Sequence, residues 1–268
     1  MSALSDALEV SLLNHLLRAT AYTPKATLYV GLFTSDPGES GVGSEVSGGS
    51  YARVAVTNNT SNFPQCAATG VPTKTNATAI TFPTASAAWG TITHWAVYDS
   101  AVGGTDVMLV HGPLSTSRYV ASGDTPKMAA NAISITMTNA TSGGLTDFAK
   151  RKLLDLVFGA TAYTTPTTVY VAAGTALTGE SFTAWADSGY SRQAAAFDAP
   201  SGGATANTDI ETLNDAVISA TGPLTHFGIY DDATLGNALV LGPLSTSRSV
   251  PIGDSAKFAA GSITVTFN

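Results

Sequence analysis

The chain carries the same sequence pattern twice, and this duplication constrains its fold more than any other feature. The heptapeptide GPLSTSR at residues 112–118 recurs unchanged at residues 242–248. A period of about 130 residues has the length of a whole domain, because solenoid repeats are only ~20–50 residues long. The sequence therefore predicts one fold used twice, over residues 1–139 and 145–268, joined by a short Gly/Ser-containing linker at 140–144.

Other segments repeat in the same order along the two copies. They pair residues 20–23 with 161–164, 28–30 with 169–171, 50–53 with 189–192, and 92–99 with 224–231. The offset between the copies changes only in stretches rich in Gly, Ser, Asn and Pro. Exposed loops tolerate insertions, so these stretches are predicted to be loops.

Each copy begins with a helical pattern. Leucines recur every fourth residue from Leu4 to Leu16, which predicts a helix over 4–18 with one apolar face. The second copy has an apolar run over 146–158, and Thr146 is the expected N-cap residue.

Strand patterns rich in β-branched and aromatic residues follow each helix, and those near 132–138 and 262–267 alternate strictly. Short strands separated by regular turn signals are typical of sandwiches and barrels. The predicted fold class is mainly β: two tandem small antiparallel β-sandwich domains, each with an N-terminal α-helix.

The charge balance disfavours nucleic-acid binding. Charged residues make up only 12% of the chain, and 12 basic against 19 acidic residues give a net charge of −7. Nucleic-acid binding needs a basic patch, and the run Lys150-Arg151-Lys152 is the longest in the sequence. Neither a signal peptide nor a membrane span is expected, and Cys66, the single cysteine, predicts no internal disulfide. We expect folding in the cytosol of the cell that makes the chain.

No constellation of residues predicts catalysis, a metal or a cofactor. His94 and His226 are repeat equivalents within a strand and are expected to be structural. His111 is replaced by Leu241 in the second copy, so it belongs to no duplicated site. The sequence therefore predicts a protein that is not an enzyme and that binds no cofactor.

The repeated heptapeptide is the most conspicuous candidate for a contact site. It lacks the glycine framing of a nucleophile elbow and the Gly-Lys of a phosphate loop, so a strand–turn–strand corner is expected. Arg118 and Arg248 could pair with a carboxylate across a subunit interface. Tyr51 and Tyr190, which also repeat, complete the set of candidate interface residues.

Several motifs resemble the small virion proteins of tailed bacteriophages, which are often labelled tail-fibre or head decoration proteins. They are found at residues 12–18, 22–24, 28–34, 45–46, 51–53, 93–95 and 258–261. Such proteins usually consist of one copy of about half this length. The second copy departs from the pattern where Gly31-Leu32-Phe33 becomes Ala172-Ala173-Gly174.

The resemblance implies a structural protein of the virion and leaves its position open. The first expectation is a capsid cement protein that binds the lattice of the major capsid protein, because compact domains of low charge without a coiled coil suit flat contacts. The alternative is a tail fibre or tail appendage involved in host adsorption. A homo-oligomer, with a trimer as one option, is expected in either case, whereas a depolymerase would need clustered carboxylates that the sequence does not show.

Overall fold

The computed structural model shows a mainly β protein, with 40% of residues in strands and 9% in two helices. It describes residues 2–101, 106–138, 144–187, 189–215 and 223–267. The predicted fold class is confirmed: antiparallel strands recur in two segments, and each segment begins with a helix. Most of the predicted linker, residues 140–143, lies outside the described residues.

The two repeats contain matching series of elements. The first comprises β1 (Ala3–Leu4), α1 (Asp6–Leu17), β2 (Thr27–Phe33), β3 (Val54–Thr57), β4 (Thr73–Thr75), β5 (Ile80–Thr81), β6 (Gly90–Tyr98), β7 (Met108–Val120), β8 (Lys127–Met128) and β9 (Ser134–Thr136). The second comprises β10 (Gly144–Leu145), α2 (Asp147–Val157), β11 (Val169–Thr178), β12 (Ser181–Ala184), β13 (Gln193–Ala195), β14 (Ala204–Ala206), β15 (Glu211–Asp215), β16 (Leu224–Tyr230), β17 (Ala238–Arg248), β18 (Ser255–Phe258) and β19 (Thr264–Thr266).

The strands of the first repeat form one larger sheet and two ribbons. The sheet has the order β1-β7-β6-β2-β3, and β4 pairs with β9 while β5 pairs with β8. All of these pairings are antiparallel. Apolar side chains such as Val30, Trp95 and Val110 are buried along the three longest strands of the sheet. Burial of such side chains is the main favourable term that holds a small β domain together.

The second repeat has the same topology with one extra hairpin. Its sheet has the order β10-β17-β16-β11-β12, and β13 also pairs with β11. The ribbons are β14 with β19 and β15 with β18. The hairpin arises because β11 continues to Thr178 and folds back as β12, whereas β2 ends at Phe33.

Both helices are capped by a hydroxyl that also contacts a strand. Ser5 Oγ accepts a hydrogen bond from Leu8 N at 3.2 Å and donates one to the carbonyl of Met108. Thr146 Oγ1 accepts from Ala149 N at 3.2 Å and donates to Ala238 O at 2.6 Å. The N-cap predicted at Thr146 is therefore confirmed, and each cap fixes the start of its helix against the first residue of β7 or β17.

The chain divides into two compact units, and neither is continuous in sequence. Unit 1 comprises Met1–Glu9, Thr23–Met137 and Arg151–Tyr163, and unit 2 comprises Val10–Tyr22, Thr138–Lys150 and Thr164–Asn268. Residues 1–139 and 145–268, predicted as domains, are the two sequence repeats; each compact unit draws a helical segment from both of them. The assignment of residues 1–139 and 145–268 as the two domains stays a prediction.

Within unit 1, the segment 151–163 is held by buried polar contacts and by packing. Lys74 Nζ lies 2.5 Å from Asp155 Oδ1, and the lysine side chain is fully buried. Asn58 Nδ2 donates to Val157 O at 2.9 Å, and Gly159 N donates to Asn58 Oδ1 at 2.6 Å. Because buried polar groups are costly without partners, these contacts fix the position of the segment in the unit.

Within unit 2, the segment 10–22 makes corresponding contacts. Arg18 Nε donates to Phe197 O at 3.0 Å, and His15 Nδ1 lies 2.7 Å from Thr165 Oγ1. Leu13, Leu16 and the other leucines of this segment are buried. Among the described residues, no helix is long and apolar enough to cross a membrane.

Candidate functional site

The repeated heptapeptide forms a wide bulge in the middle of a long strand rather than the corner that was predicted. In unit 1, Arg118 is opposite Ile92, and the next paired residue, Pro113, is opposite His94. Four residues of β7 therefore face one residue of β6. Unit 2 has the same arrangement, with Arg248 opposite Leu224 and Pro243 opposite His226. A bulge of this kind interrupts the ladder and redirects the side chains at that point.

The fold explains why the heptapeptide begins with glycine. A Cβ at Gly112 would lie 2.8 Å from the Trp95 ring, and a Cβ at Gly242 would lie 2.8 Å from the Phe227 ring. Glycine is thus required where the aromatic ring covers the backbone. The indole of Trp95 also donates a hydrogen bond to Pro113 O at 3.2 Å.

The fold does not explain the last four residues. Ser115, Thr116, Ser117 and Arg118 are exposed, as are their equivalents at 245–248. Within the described ranges, none of these eight side chains makes a hydrogen bond or ion pair with the rest of the chain. Exposed side chains without structural partners are free to change, yet all four types are identical in the two copies.

Each bulge forms one wall of a groove, and the two grooves are equivalent. Groove 1, in unit 1, has a volume of about 270 Å³ and is lined by Leu32, Phe82, Ile92, Leu114, Ser115, Thr116, Arg118, Val120, Pro126, Lys127, Met128, Ala129 and Ala132. Groove 2, in unit 2, has a volume of about 300 Å³ and is lined by Leu224, Phe227, Pro243, Leu244, Ser245, Thr246, Arg248, Ala256, Lys257, Phe258, Ala259 and Ser262. The same structural positions thus form a cavity of similar size twice.

Each groove combines two cations, two hydroxyls and an apolar floor. Arg118 and Lys127 line groove 1, and Arg248 and Lys257 line groove 2. The lysines are on β8 and β18, directly after a turn that contains Gly123 or its equivalent with positive φ. Such a surface can accept a group that bears an anion and hydroxyls.

Tyr51 supports the sheet of unit 1 from within. Its hydroxyl accepts a hydrogen bond from Leu32 N at 2.9 Å and donates to Glu45 Oε1 at 2.8 Å, and its ring packs edge-on against Trp89. Burial, together with the Glu45 carboxylate, raises the pKa of this phenol above its usual range. The hydroxyl is therefore engaged within the unit.

Tyr190 has the corresponding position in unit 2. Its hydroxyl accepts a hydrogen bond from Ala173 N at 2.9 Å, and its ring packs against Trp185 with ring centroids 5.6 Å apart. Burial raises the pKa of Tyr190 to about 12. Of the four candidate interface residues, only Arg118 and Arg248 thus line the grooves.

Two of the histidines lie close to a carboxylate, which the sequence did not indicate. His94 Nε2 lies 3.7 Å from Asp36 Oδ2, and His111 Nδ1 lies 3.1 Å from Asp36 Oδ1. The N–H of Gly38 donates to Asp36 and lowers the pKa of that carboxyl, and the two histidines act in the same direction. His226 contacts Thr225, as His94 contacts Thr93. In the part of the chain that is described, no cluster of His, Cys, Asp and Glu is suited to a metal ion.

Sequence reasoning identified the arginines of the grooves but missed the lysines and the cavity. The signal was present, because in both copies a Gly-Asp pair precedes a lysine after the heptapeptide. That the lysines lie beside the bulges is seen only in the structure, where Lys127 lines a groove with Arg118 and Lys257 lines one with Arg248.

The comparison with protein families gives one match that covers both repeats. A family model described as podophage GP4 fiber I protein gp80 matches residues 3–136 and again residues 144–266. Both grooves lie within the matched segments. No curated protein matches the chain.

Proposed function

Because the chain belongs to the family of the podophage GP4 fiber I protein gp80 and is a component of a phage virion, we propose that it forms part of a tail fibre that takes part in attachment to the host cell. The single observation that carries the proposal is the match of a fibre family to both repeats, along almost the whole chain.

The family match supports the alternative that the sequence raised, rather than its first expectation. A capsid cement protein was preferred because the chain lacks the heptads and short strand repeats of a fibre shaft. That argument was too narrow, since it equated a fibre with its shaft. Tandem globular β units, as seen here, are a second way to build an appendage that presents surfaces at a distance from the particle.

The duplicated bulges fit an attachment role. Each chain presents the same exposed side chains twice, at 115–118 and at 245–248. Linking two weak sites in one molecule raises the effective concentration for the second contact, so avidity exceeds the affinity of either site. Attachment to a repetitive cell surface profits from this effect more than binding to a single lattice point does.

As a virion component, the protein contacts other virion proteins. We further propose a homo-oligomer, with a trimer as the first option, because charged residues are scarce at 12% and small residues that permit close contact are abundant. Light scattering of the purified chain checks this proposal, and a monomer at all concentrations contradicts it.

Particles that lack the protein test its position and role. For a fibre, labelling with an antibody marks the tail, the copy number follows that of the tail appendages, and the deficient particles adsorb poorly while their heads resist heat as well as intact ones. Label distributed over the head, with heads that fail on heating and normal adsorption, contradicts the fibre and supports a cement protein.

A further inference from the structure

Grooves 1 and 2 have the composition of a binding site for a sugar that carries a negative charge. We propose that each groove binds one unit of an anionic saccharide, so that one chain holds two such sites. The proposal rests on the proposed function, since it names the chemical class of the receptor. It requires that Arg118 and Arg248 bind the anionic group and that the floor of each groove contacts the ring.

The charge of the grooves favours an anion. The whole chain has only 12 basic residues and a net charge of −7, yet each groove has an arginine and a lysine in its wall. The planar guanidinium matches a carboxylate or sulfate with two parallel N–H···O bonds. Neither arginine pairs with a carboxylate in the described part of the chain, so both are available for an external anion.

The remaining lining favours a saccharide over a simple anion. Ser115 and Thr116, or Ser245 and Thr246, provide hydroxyls that both donate and accept, as sugar hydroxyls require. The floor is apolar, with Leu114 and Met128 in groove 1 and with Leu244 and Phe258 in groove 2, and can cover the C–H face of a ring. Volumes of about 270 and 300 Å³ are at the lower end for ligand pockets and suit one or two sugar units of a longer chain.

The bulge disfavours the main alternative occupant, an extended peptide added to the sheet. Strand addition needs a regular row of backbone donors and acceptors. Between Pro113 and Arg118, and between Pro243 and Arg248, the ladder is interrupted by four looped-out residues. Bulges of this kind protect strands against pairing with other chains.

Titration of the intact chain with two pairs of probes tests the proposal. The anionic probes are an oligogalacturonide and dextran sulfate; the neutral partners are the methyl-esterified oligogalacturonide and dextran. NMR or calorimetry should detect two equivalent sites per chain for at least one anionic probe, with a Kd on the order of 1 mM. The neutral partner should bind at least ~10-fold more weakly, because it loses charge-assisted hydrogen bonds.

Substitution of the arginines should lower the number of binding sites per chain. Arg118→Ala should leave one site, Arg248→Ala should leave one site, and the double variant should leave none. In the part of the chain that the structure describes, neither arginine side chain has a hydrogen-bond or ion-pair partner, so these variants should keep the fold, which dispersion of the amide NMR signals checks. Lys25→Ala is the matched control: it removes one exposed cation outside both grooves and should leave two sites.

The binding measurements can overturn the proposal in three ways. The first is that neither anionic probe binds, the second that the neutral partners bind equally well, and the third that the double variant retains two sites. If the arginine variants instead change the oligomeric mass, the grooves are subunit contacts, as the sequence suggested for Arg118 and Arg248, and the saccharide assignment is wrong.

The same variants separate this proposal from the fibre function. Phage that carries the double variant and adsorbs normally, while phage without the protein does not adsorb, contradicts the saccharide sites but not the fibre. A head location contradicts the fibre, whereas saccharide binding by the purified chain is measured independently of that location.

Discussion

Three charged residues at the rim of the sheet distinguish unit 1 from its repeat. Arg53 donates to Glu45 at 2.8 and 2.7 Å and to Asp106 at 2.6 Å, and its guanidinium lies 3.4 Å above the Tyr98 ring. In unit 2, Arg192 keeps the stacking contact, at 3.5 Å from the Tyr230 ring. Its N–H groups donate to backbone carbonyls rather than to carboxylates. The arginine–tyrosine pair is therefore common to both units.

The loss of the glutamate in the second copy is linked to a change from glycine to alanine. A Cβ at Gly31 would lie 2.8 Å from Glu45 Oε1, so the end of the glutamate side chain would have to shift if the glycine were replaced. The equivalent residue is Ala172, and its partner across the sheet is Gly228, where unit 1 has Ala96 opposite Gly31. Glycine and alanine have thus exchanged places across the strand pair, which keeps the local volume similar.

Glu45→Gln should destabilise the protein by about 1–3 kcal/mol. The Arg53 side chain is only 8% exposed and loses one of its two carboxylate partners, but Asp106 remains. Urea unfolding followed by fluorescence measures the change. Glu39→Gln, in an exposed loop, is the control and should stay within about 0.5 kcal/mol of the wild type. Equal stability of the Glu45 variant contradicts a structural role for the cluster.

Glu9 should make the protein less stable as the pH rises. Burial raises the pKa of Glu9 to about 7, and the carboxylates of Glu39 and Asp6 act in the same direction. In the unfolded chain a glutamate titrates near pH ~4.3, so the folded state binds the extra proton between that pH and 7, and stability falls across this window. Glu9→Gln should raise stability at pH 8 by about 1–2 kcal/mol, after allowance for residual hydration.

Thermal unfolding at two pH values checks the prediction for Glu9. At pH 4 the carboxyl is mostly protonated in both states, so the variant and the wild type should unfold at similar temperatures. A difference that is the same at pH 4 and pH 8 shows that the side-chain volume, rather than the charge, is responsible.

Among the secondary-structure elements, the two helices begin in the same way, each with a hydroxyl residue at its N-cap. Ser5 and Thr146 are both buried, and each hydroxyl satisfies one helix N–H and one strand carbonyl. The cap thus links the helix to the sheet and does more than end the helix. Removing a cap hydroxyl that is shared with a strand should lower the stability more than removing one that faces water.

Ser5→Ala and Thr146→Ala should each destabilise the protein by about 1–2 kcal/mol. The loss comprises the helix cap and an unsatisfied strand carbonyl, at Met108 or Ala238. Thr146→Ser keeps the hydroxyl and is the control, since it should recover most of the stability. Chemical denaturation of all three variants measures the effect, and a serine variant as unstable as the alanine variant contradicts the assignment to the hydroxyl.

The sequence predicted the long elements well and the short ones poorly. The helices at 4–18 and 146–158 were predicted to within two residues of Asp6–Leu17 and Asp147–Val157, because leucine spacing and caps are local signals. Strands such as β4 and β8, of two or three residues, have no periodicity to detect. The heptapeptide was expected to form a corner, whereas β7 continues through the bulge to Val120. The grooves were missed for this reason.

In the whole molecule, the two sequence repeats do not coincide with the two compact units. Unit 1 includes Arg151–Tyr163, which belongs to the second repeat, and unit 2 includes Val10–Tyr22, which belongs to the first. The duplication indicated two units, but periodicity within one repeat does not reveal which unit a helical segment joins. That assignment depends on non-local contacts such as those of Lys74 and Asn58.

A chain cut to residues 1–139 should not form unit 1 with native stability, whereas residues 1–163 should recover most of it. The shorter chain lacks the partners of Lys74, Asn58 and Phe63, whose ring centroid lies 6.2 Å from that of Phe158. Amide hydrogen exchange over β4 and β9 measures the difference. Native protection in the shorter chain contradicts the prediction.

Asp155→Asn tests the same segment in the full chain. It leaves the Lys74 ammonium, which is fully buried, without its carboxylate and should cost about 3 kcal/mol. Adding Lys74→Met should recover part of the loss, because the uncompensated charge is removed. If the double variant is less stable than Asp155→Asn, the buried charge is not the cause.

Because the chain is synthesised from its N-terminus, each discontinuous unit can close only after its last segment has been made. The leucines at 12, 13, 16 and 17 leave the ribosome early, but their unit is completed only by residues 164–268. Unit 1 in turn waits for residues 151–163, a delay of about 1–5 s after residue 137 at ~5–20 residues per second. During these intervals the nascent chain presents an apolar helix face to the solvent. Transient binding of a chaperone to that face should therefore accompany translation, and unit 1, which is complete at residue 163, should close before unit 2.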